Sequence, residues 1–470
     1  MRISIEELAR VSGGRILFGH EGIGFDNITT ASGKIKGNDL FVPVIGEKTD
    51  GHLYIRPAFE NGAEMALTQE PEVEAGLAEF RDTKGLVLVD STVRALQQFA
   101  AYMRETHFTM PFIGVTGSVG KTTTREMIAA ALRSGKRVYT TKGNANSQVG
   151  VPITVFETEE DAELAVVELG ISDFGEMEQI SSICSVETAV MTNIGISHMA
   201  QFGTQQNILL EKLHILSEQG PDICLILNGD DPILRELTEE SIHRMGIALK
   251  RKITIRRYGM DKGNDYRTQD IRKENGYPSF DLVLGGKSAG IRVSLSVPGD
   301  HMIMNALAAL AVCDRYGLDL RKAAASLGDF TGFEGRGNRI ERNGYTIIND
   351  SYNASPASVK SGLSVLADMT AGGRKIAVLG DMRELGDQER QHHLEVGRYI
   401  AENMKDLDLL YTYGELAALI GDPVEKAGKI RVQRYLEFEA LQKDLEAELK
   451  PGDILFVKGS LTMGLGRLIK

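Results

Sequence analysis

Apolar residues along the chain fall into short runs, each closed by glycine or polar residues and followed by a stretch with helical spacing. Phe112, Ile113 and Val115 form one such run, and Gly117 and Gly120 bracket a tight loop after it. A helical pattern then opens at Lys121 and continues through Ala129, Ala130 and Leu132. The alternation recurs from 111 to about 327, with runs at 164–169, 188–191 and 223–227. Near-continuous apolar strands joined by helices predict a parallel sheet covered on both faces. A local hairpin is expected at 279–297, ahead of a helix starting near Met302.

Residues 1–105 carry shorter runs at 15–18, 39–45, 65–68 and 85–89 and a helix around 91–104, the pattern of a small mixed α/β domain. The segment 48–55, polar and glycine-broken at first, fits a ligand-facing loop and a surface turn equally well. Gly328, Gly332, Gly335 and Gly337 make a hinge or linker, and runs at 345–349, 375–379, 408–413, 430–435 and 453–457 predict a second doubly wound domain after it. The expected fold is therefore α/β in three domains. These are a small mixed N-terminal domain (1–105), a central parallel-sheet domain (106–328) and a C-terminal Rossmann-like domain (329–470).

Composition narrows the function. A chain of 470 residues is too long for one compact core. The net charge of −12 argues against a broad nucleic-acid or anionic-membrane surface, while a local cation cluster can still bind a small anion. The first ten residues alternate charged with apolar positions, unlike a signal peptide, and no apolar run is long enough to span a bilayer. Cys184, Cys224 and Cys313 stand isolated in apolar surroundings, which points to a reducing compartment and a cytoplasmic protein.

The loop Gly117-Ser118-Val119-Gly120-Lys121-Thr122-Thr123 carries the clearest chemistry. Its backbone N–H groups and the following helix N-terminus suit a polyphosphate, Lys121 neutralises outer phosphates and the Thr122 hydroxyl reaches magnesium. It departs from GxxxxGK[ST], because Val115 stands where the first glycine belongs. Glu168, Asn193 and His198 follow apolar runs and Lys212 lies in a helix, so all four can converge on the same phosphates; a carboxylate and an imidazole suit a divalent ion there. On these residues alone, a P-loop regulatory nucleotidase that forms no amide bond stays open.

GVTGSVGKTTT, GNANSQVGVP (143–152), VVELG (166–170), TNIGISHMAQFGT (192–204), Lys212, PGDHMIMNALAA (298–309), EGRGNR (334–339), NDSYNASPAS (349–358), GDMRELG (380–386) and VKGS (457–460) follow one another in the order found in Mur ligases. The chain resembles that family over almost its whole length. The resemblance implies an ATP-dependent amide ligase of peptidoglycan precursor synthesis, with UDP-linked muramyl tripeptide and D-alanyl-D-alanine as its substrates. A member that adds a single amino acid is the alternative within the family. It also implies a monomer that binds no nucleic acid and inserts in no membrane. The N-terminal domain would take the UDP substrate, and the C-terminal domain the incoming amine and part of the nucleotide.

Position by position, the resemblance puts the ATP phosphates on Gly117 through Thr123. It assigns one magnesium ion to Thr122 and Glu168 and a second to His198, beside a carbamylated Lys212. Asn305 would lie on the adenine side, Arg336 on phosphate and Asp350 on ribose. Asn144, Asn146, Asn353 and Ser355 would face the other substrates, and the GDMRELG loop would lie near the incoming dipeptide. Lys121, His198 and Lys212 make up the expected catalytic set. The family pattern is broken at four places: Ala31-Ser-Gly33 replaces DSR, His301-Met302 replaces HN, Asn146-Ser147 replaces NN, and Lys458-Gly-Ser-Leu461 replaces KGSR.

Overall fold

The computed structural model describes residues 2–46, 49–217 and 222–469. Lys48, which opens the 48–55 segment, lies outside them; within the rest of that segment Gly51–Tyr54 forms a 3-10 turn leading into the helix Ile55–Glu60. The chain folds as three α/β units, each built on its own main sheet.

The N-terminal sheet runs in the order Arg15–Phe18, Gly85–Leu88, Met65–Thr68, Asp39–Phe41, Asn27–Thr29, the first pair antiparallel and the rest parallel. Beside it stands the helix Thr92–His107, whose start is capped by the Ser91 hydroxyl accepting the Arg94 N–H. The apolar face of this helix is shared. Phe99 packs between Phe25 of the N-terminal unit and Phe156 of the central one, with ring centroids 5.6 and 6.1 Å away, and Phe25 and Phe156 are 5.7 Å apart. One continuous core therefore joins the first two units.

Nine strands form the central sheet. Phe112–Thr116 lies between Leu164–Glu168 and Thr188–Met191, all three parallel, with Val115 opposite Glu168 and Thr116 opposite Met191. Helices cover both faces, which is why these strands are buried along their whole length and read as unbroken apolar runs. The expected hairpin at 279–297 is larger than its apolar run indicates. Tyr266–Glu274, Tyr277–Leu284 and Lys287–Ser294 extend the central sheet as an antiparallel meander. Its first strand, YRTQDIRKE, is polar because most of it is exposed, so no apolar run marks it; from the meander Tyr266, Phe280, Leu282, Ile291 and Val293 join the core. The helix after it is Asp300–Arg315.

The C-terminal sheet has six strands in the order Asn338–Arg342, Tyr345–Asp350, Ile454–Lys458, Lys375–Gly380, Leu409–Tyr413, Arg431–Tyr435, parallel after the first pair. The meander tip docks on this unit. The Lys273 ammonium bridges Asp300 and Asp368 at 2.8 and 2.9 Å, and the Asn275 side-chain oxygen accepts the Thr370 N–H at 2.7 Å. The glycine linker closes one turn of backbone, with Arg336 N–H donating to Phe333 O at 3.0 Å.

Phe99→Ala removes the ring that bridges the first two units and is expected to destabilise them by about 3–5 kcal/mol. Hydrogen exchange should speed up together in the N-terminal and central sheets and stay unchanged in the C-terminal sheet. Loss of protection confined to the N-terminal sheet would show that the shared core does not couple them.

Candidate active site

The phosphate loop is held open by its neighbour in the sheet. The Ser118 N–H donates to Asn193 O at 3.1 Å, the Val119 N–H to Asn193 Oδ1 at 2.9 Å, and Thr192 Oγ1 and Asn193 Nδ2 donate to Val119 O at 2.6 and 2.9 Å. Gly117 has φ +145°, and a Cβ there would sit 2.0 Å from Thr192 Oγ1, so only glycine fits. Gly120, at φ +85°, starts the helix Lys121–Leu132 without any side-chain cap. The first-turn N–H groups are thus left for a ligand of negative charge. The Lys121 ammonium folds back to Gly117 O at 2.9 Å.

Four of the expected residues gather around this loop. Glu168 ends the strand next to the loop and is buried; the helix residue Lys212 is 3 % exposed and has no hydrogen-bond or ion-pair partner among the described residues. Burial, and after it the charge of Lys121, push the Lys212 ammonium well below the usual lysine range. Burial also lowers Lys121, against the pull of Glu168 and with the push of Arg336. His198 is lowered by burial, opposed by Glu384, and faces Lys121 and Lys212 as well. From across the cleft the Arg336 guanidinium lies 4.0 Å from the Tyr352 ring centre, turned toward Glu168 and Asp350. In a protein of net charge −12, this cleft is locally cationic.

Other expected residues are engaged with the protein. The Asn305 side-chain oxygen accepts the Thr124 hydroxyl at 2.9 Å, placing it beside the phosphate loop. Asp350 pairs with the buried Lys458, which also donates to Asn353 O at 2.9 Å. Asn146 donates to Glu168 Oε1 at 2.7 Å, whereas Asn144 is an exposed loop residue. The Ser355 hydroxyl caps the helix Pro356–Asp368, accepting the Ser358 N–H at 3.4 Å, and Asn353 Oδ1 accepts the Ala354 N–H at 2.8 Å. Thr122 is buried and Thr123 half-buried in the first helical turn.

Two contacts lie outside the sequence reading. Arg125, fully buried one turn after Lys121, donates through Nη1 to Glu168 Oε2 and to Gly143 O, both at 3.1 Å. With Asn146 it fixes the plane of the Glu168 carboxylate. The spacing of four from Lys121 is the signal that points to it. Glu384, from the C-terminal unit, reaches His198 Nδ1 at 3.3 Å; it lies in the GDMRELG segment of the resemblance, but nothing there singles out its side chain or this partner.

Three family models match the chain: "Mur ligase family, catalytic domain" over residues 25–104, "Mur ligase middle domain" over 115–313 and "Mur ligase, glutamate ligase domain" over 335–461. The UDP-N-acetylmuramoyl-tripeptide–D-alanyl-D-alanine ligase of Bacillus subtilis (strain 168) is 35% identical over 451 residues, 94% of this chain and 92% of that protein. The chain belongs to the Mur ligase family. The ligase of the same description from Treponema pallidum (strain Nichols) is 31% identical over 100% of this chain and 98% of its own. Among solved structures, MurF from Acinetobacter baumannii superposes with a TM-score of 0.86 at 26% identity, covering 100% of this chain and 98% of that one. MurF ligase from Thermotoga maritima in complex with ADP gives 0.77 at 27% identity, over 94% and 96%. As a Mur ligase the protein uses ATP and magnesium. The uncapped helix start, the cation-rich cleft and the buried carboxylate at its floor fit both.

A lysine whose folded pKa lies below its unfolded value binds fewer protons folded than unfolded, so stability rises with pH between the two values. Lys212→Met is therefore expected to stabilise the ligand-free Mur ligase in CO2-free buffer at neutral pH. The gain should shrink as pH approaches about 10, where the unfolded lysine also loses its proton. Denaturant titrations across that range check it; a pH-independent difference would show that Lys212 is not strained in its charged form.

Proposed function

We propose that this Mur ligase joins D-alanyl-D-alanine to a UDP-linked muramyl tripeptide with hydrolysis of ATP to ADP and phosphate. The observation that carries the reading is the meeting of Lys121, Glu168, His198 and Lys212 under Arg336, which arrives from the opposite unit. Such a cleft binds a polyphosphate along its length and leaves its far end for an acceptor. The tripeptide carboxylate attacks the terminal phosphorus in line, forming an acyl phosphate. The dipeptide amine then adds to that carbonyl, the C–O bond to phosphate breaks, and the protons leave with phosphate and solvent.

The chain's residues mainly position and compensate charge. Backbone N–H groups of 117–123 and Lys121 hold the outer phosphates, and Arg336 closes over them. Glu168, aligned by Arg125 and Asn146, and Thr122 would hold one magnesium, and His198 a second. When bound, magnesium polarises the phosphoryl oxygens and offsets their charge. The lowered proton affinity of Lys212 favours the free amine, the form that adds CO2, and its carbamate would present an oxygen ligand to the same site. Asn305 and Asp350 border the nucleoside end, Asn144, Asn146, Asn353 and Ser355 the other substrates. The division into units at 1–105, 106–328 and 329–470 gives them the UDP substrate, the ATP phosphates and the incoming amine respectively. No helix among the described residues is long and apolar enough to cross a membrane. A nucleotide-linked substrate, ATP and three unpaired buried cysteines fit a monomer working in the cytoplasm.

Turnover of nucleotide-linked tripeptide, ATP and D-alanyl-D-alanine, read by product mass, should yield the pentapeptide. A panel of amines followed by phosphate release decides the acceptor, and preference for a single amino acid would overturn the assignment. Lys212→Ala should lower turnover roughly a hundredfold or more, with recovery when a short carboxylate is added. Unchanged activity in that variant would remove Lys212 from the site.

A further inference from the structure

A dipeptide acceptor brings a carboxylate as well as an amine, and the carboxyl ends of the two middle strands of the C-terminal sheet offer a cation for it. Lys458 is committed to Asp350 and Asn353, and Leu461, where the family pattern has arginine, is apolar and 58 % exposed. Arg383 stands next to that place. The strands Lys375–Gly380 and Ile454–Lys458 are parallel neighbours with Leu379 opposite Lys458, so the segments that follow them leave the sheet side by side. The Arg383 N–H donates to Ser460 Oγ at 2.9 Å, and the Ser460 N–H to Asp381 O at 3.1 Å.

The side chain is anchored at one end. Arg383 Nη2 pairs with the buried carboxylate of Asp381 at 2.9 Å and lies 4.0 Å from Met463 sulfur. Asp381 is itself fixed by the Ala417 N–H at 2.7 Å. Arg383 Nη1 and Nε have no partner among the described residues, and the side chain is half exposed. A guanidinium held on one nitrogen with its remaining edge open is prepared for a planar, charge-assisted contact with a carboxylate.

The next residue gives the loop its direction. Glu384 has φ +66° and meets His198, at φ +59°, across the cleft. Of the seven described non-glycine residues with positive φ, five are Asn, Asp or His, the types enriched there; Glu384 and Ser185 are the other two, and Glu384 holds this conformation where it meets His198. Glu384 therefore brings this loop against His198, on which the charges of Lys121 and Lys212 also act, and Arg383 is its chain neighbour on the side of Ser460. We propose that Arg383 binds the terminal carboxylate of the incoming dipeptide and is the specificity-determining cation for acceptors of this kind, in place of one at position 461. This rests on the ligase reading given above.

The test compares D-alanyl-D-alanine with D-alanyl-D-alaninamide, which keeps the amine and lacks the carboxylate, in the native enzyme and in Arg383→Met. The native enzyme should prefer the acid by roughly 10- to 100-fold in kcat/KM, the range of one charge-assisted contact. In Arg383→Met the preference should collapse to about twofold or less, through the KM of the dipeptide and with the KM of ATP unmoved. Equal use of acid and amide by the native enzyme overturns the proposal without needing any variant. So does an undiminished preference in Arg383→Met, or a rise in the KM of ATP matching that of the dipeptide. Absence of any turnover with D-alanyl-D-alanine, by contrast, sinks the ligase reading itself.

Discussion

The parallel register of three central strands is the constraint on which the rest depends. Val115 lies opposite Glu168 and Thr116 opposite Met191, so the loop after the first strand emerges between a carboxylate on one side and Thr192 and Asn193 on the other. Asn193 then clamps Val119 through both atoms of its side-chain amide and Ser118 through its backbone carbonyl, and Thr192 fills the space that a side chain at 117 would need. A slip of one residue would turn Glu168 toward a helix-covered face and leave the loop without its clamp. The buried apolar side chains that fix the register thereby fix the chemistry. In open α/β sheets the ligand sits beyond the carboxyl ends of the strands for this reason.

Charge organises the second level. Burial makes protonated Lys121 and Lys212 costly, Arg336 adds to the cost at Lys121 and Lys121 to that at Lys212, and Glu168 is already shared with Arg125 and Asn146. An empty cleft of this kind holds its cations at the expense of stability. Polyphosphate removes that cost where it is largest, so affinity for ATP and relief of strain are one effect seen from two sides.

What the sequence reveals follows from how local each feature is. The phosphate loop is legible because backbone geometry demands glycine at 117 and 120 and because Lys121 opens a helix directly behind a buried strand. Apolar strands in the centre of a sheet are legible for the same reason, while the polar strand Tyr266–Glu274 is not, since its exposed side chains carry no alternation. Glu168, His198 and Lys212 could be nominated one by one, but their meeting depends on strand order. Resemblance to an ordered set of motifs, rather than spacing, brought Arg336 and Asp350 to the site from beyond the linker. The segment holding Glu384 is legible through the resemblance, but its contact with His198 is not, because that contact joins two units. The Phe25–Phe99–Phe156 cluster was likewise hidden: each ring reads as ordinary core of its own segment.

The division of labour between units then has a physical reason. Lys121 and Arg336 come from different units and repel each other in the absence of ligand, so closure without ATP is opposed, and closure with ATP is favoured by the difference in its affinity for the two arrangements. Contacts at the meander tip, where Lys273 joins Asp300 to Asp368, lie outside the cationic cleft and can persist as it opens. An acyl phosphate is lost to water unless the amine arrives in a closed site. In the proposed reading, placing one phosphate-binding cation on each unit would make the closed state conditional on the reactant that the intermediate requires. A single rigid domain carrying both cations would have no comparable way to admit two further substrates.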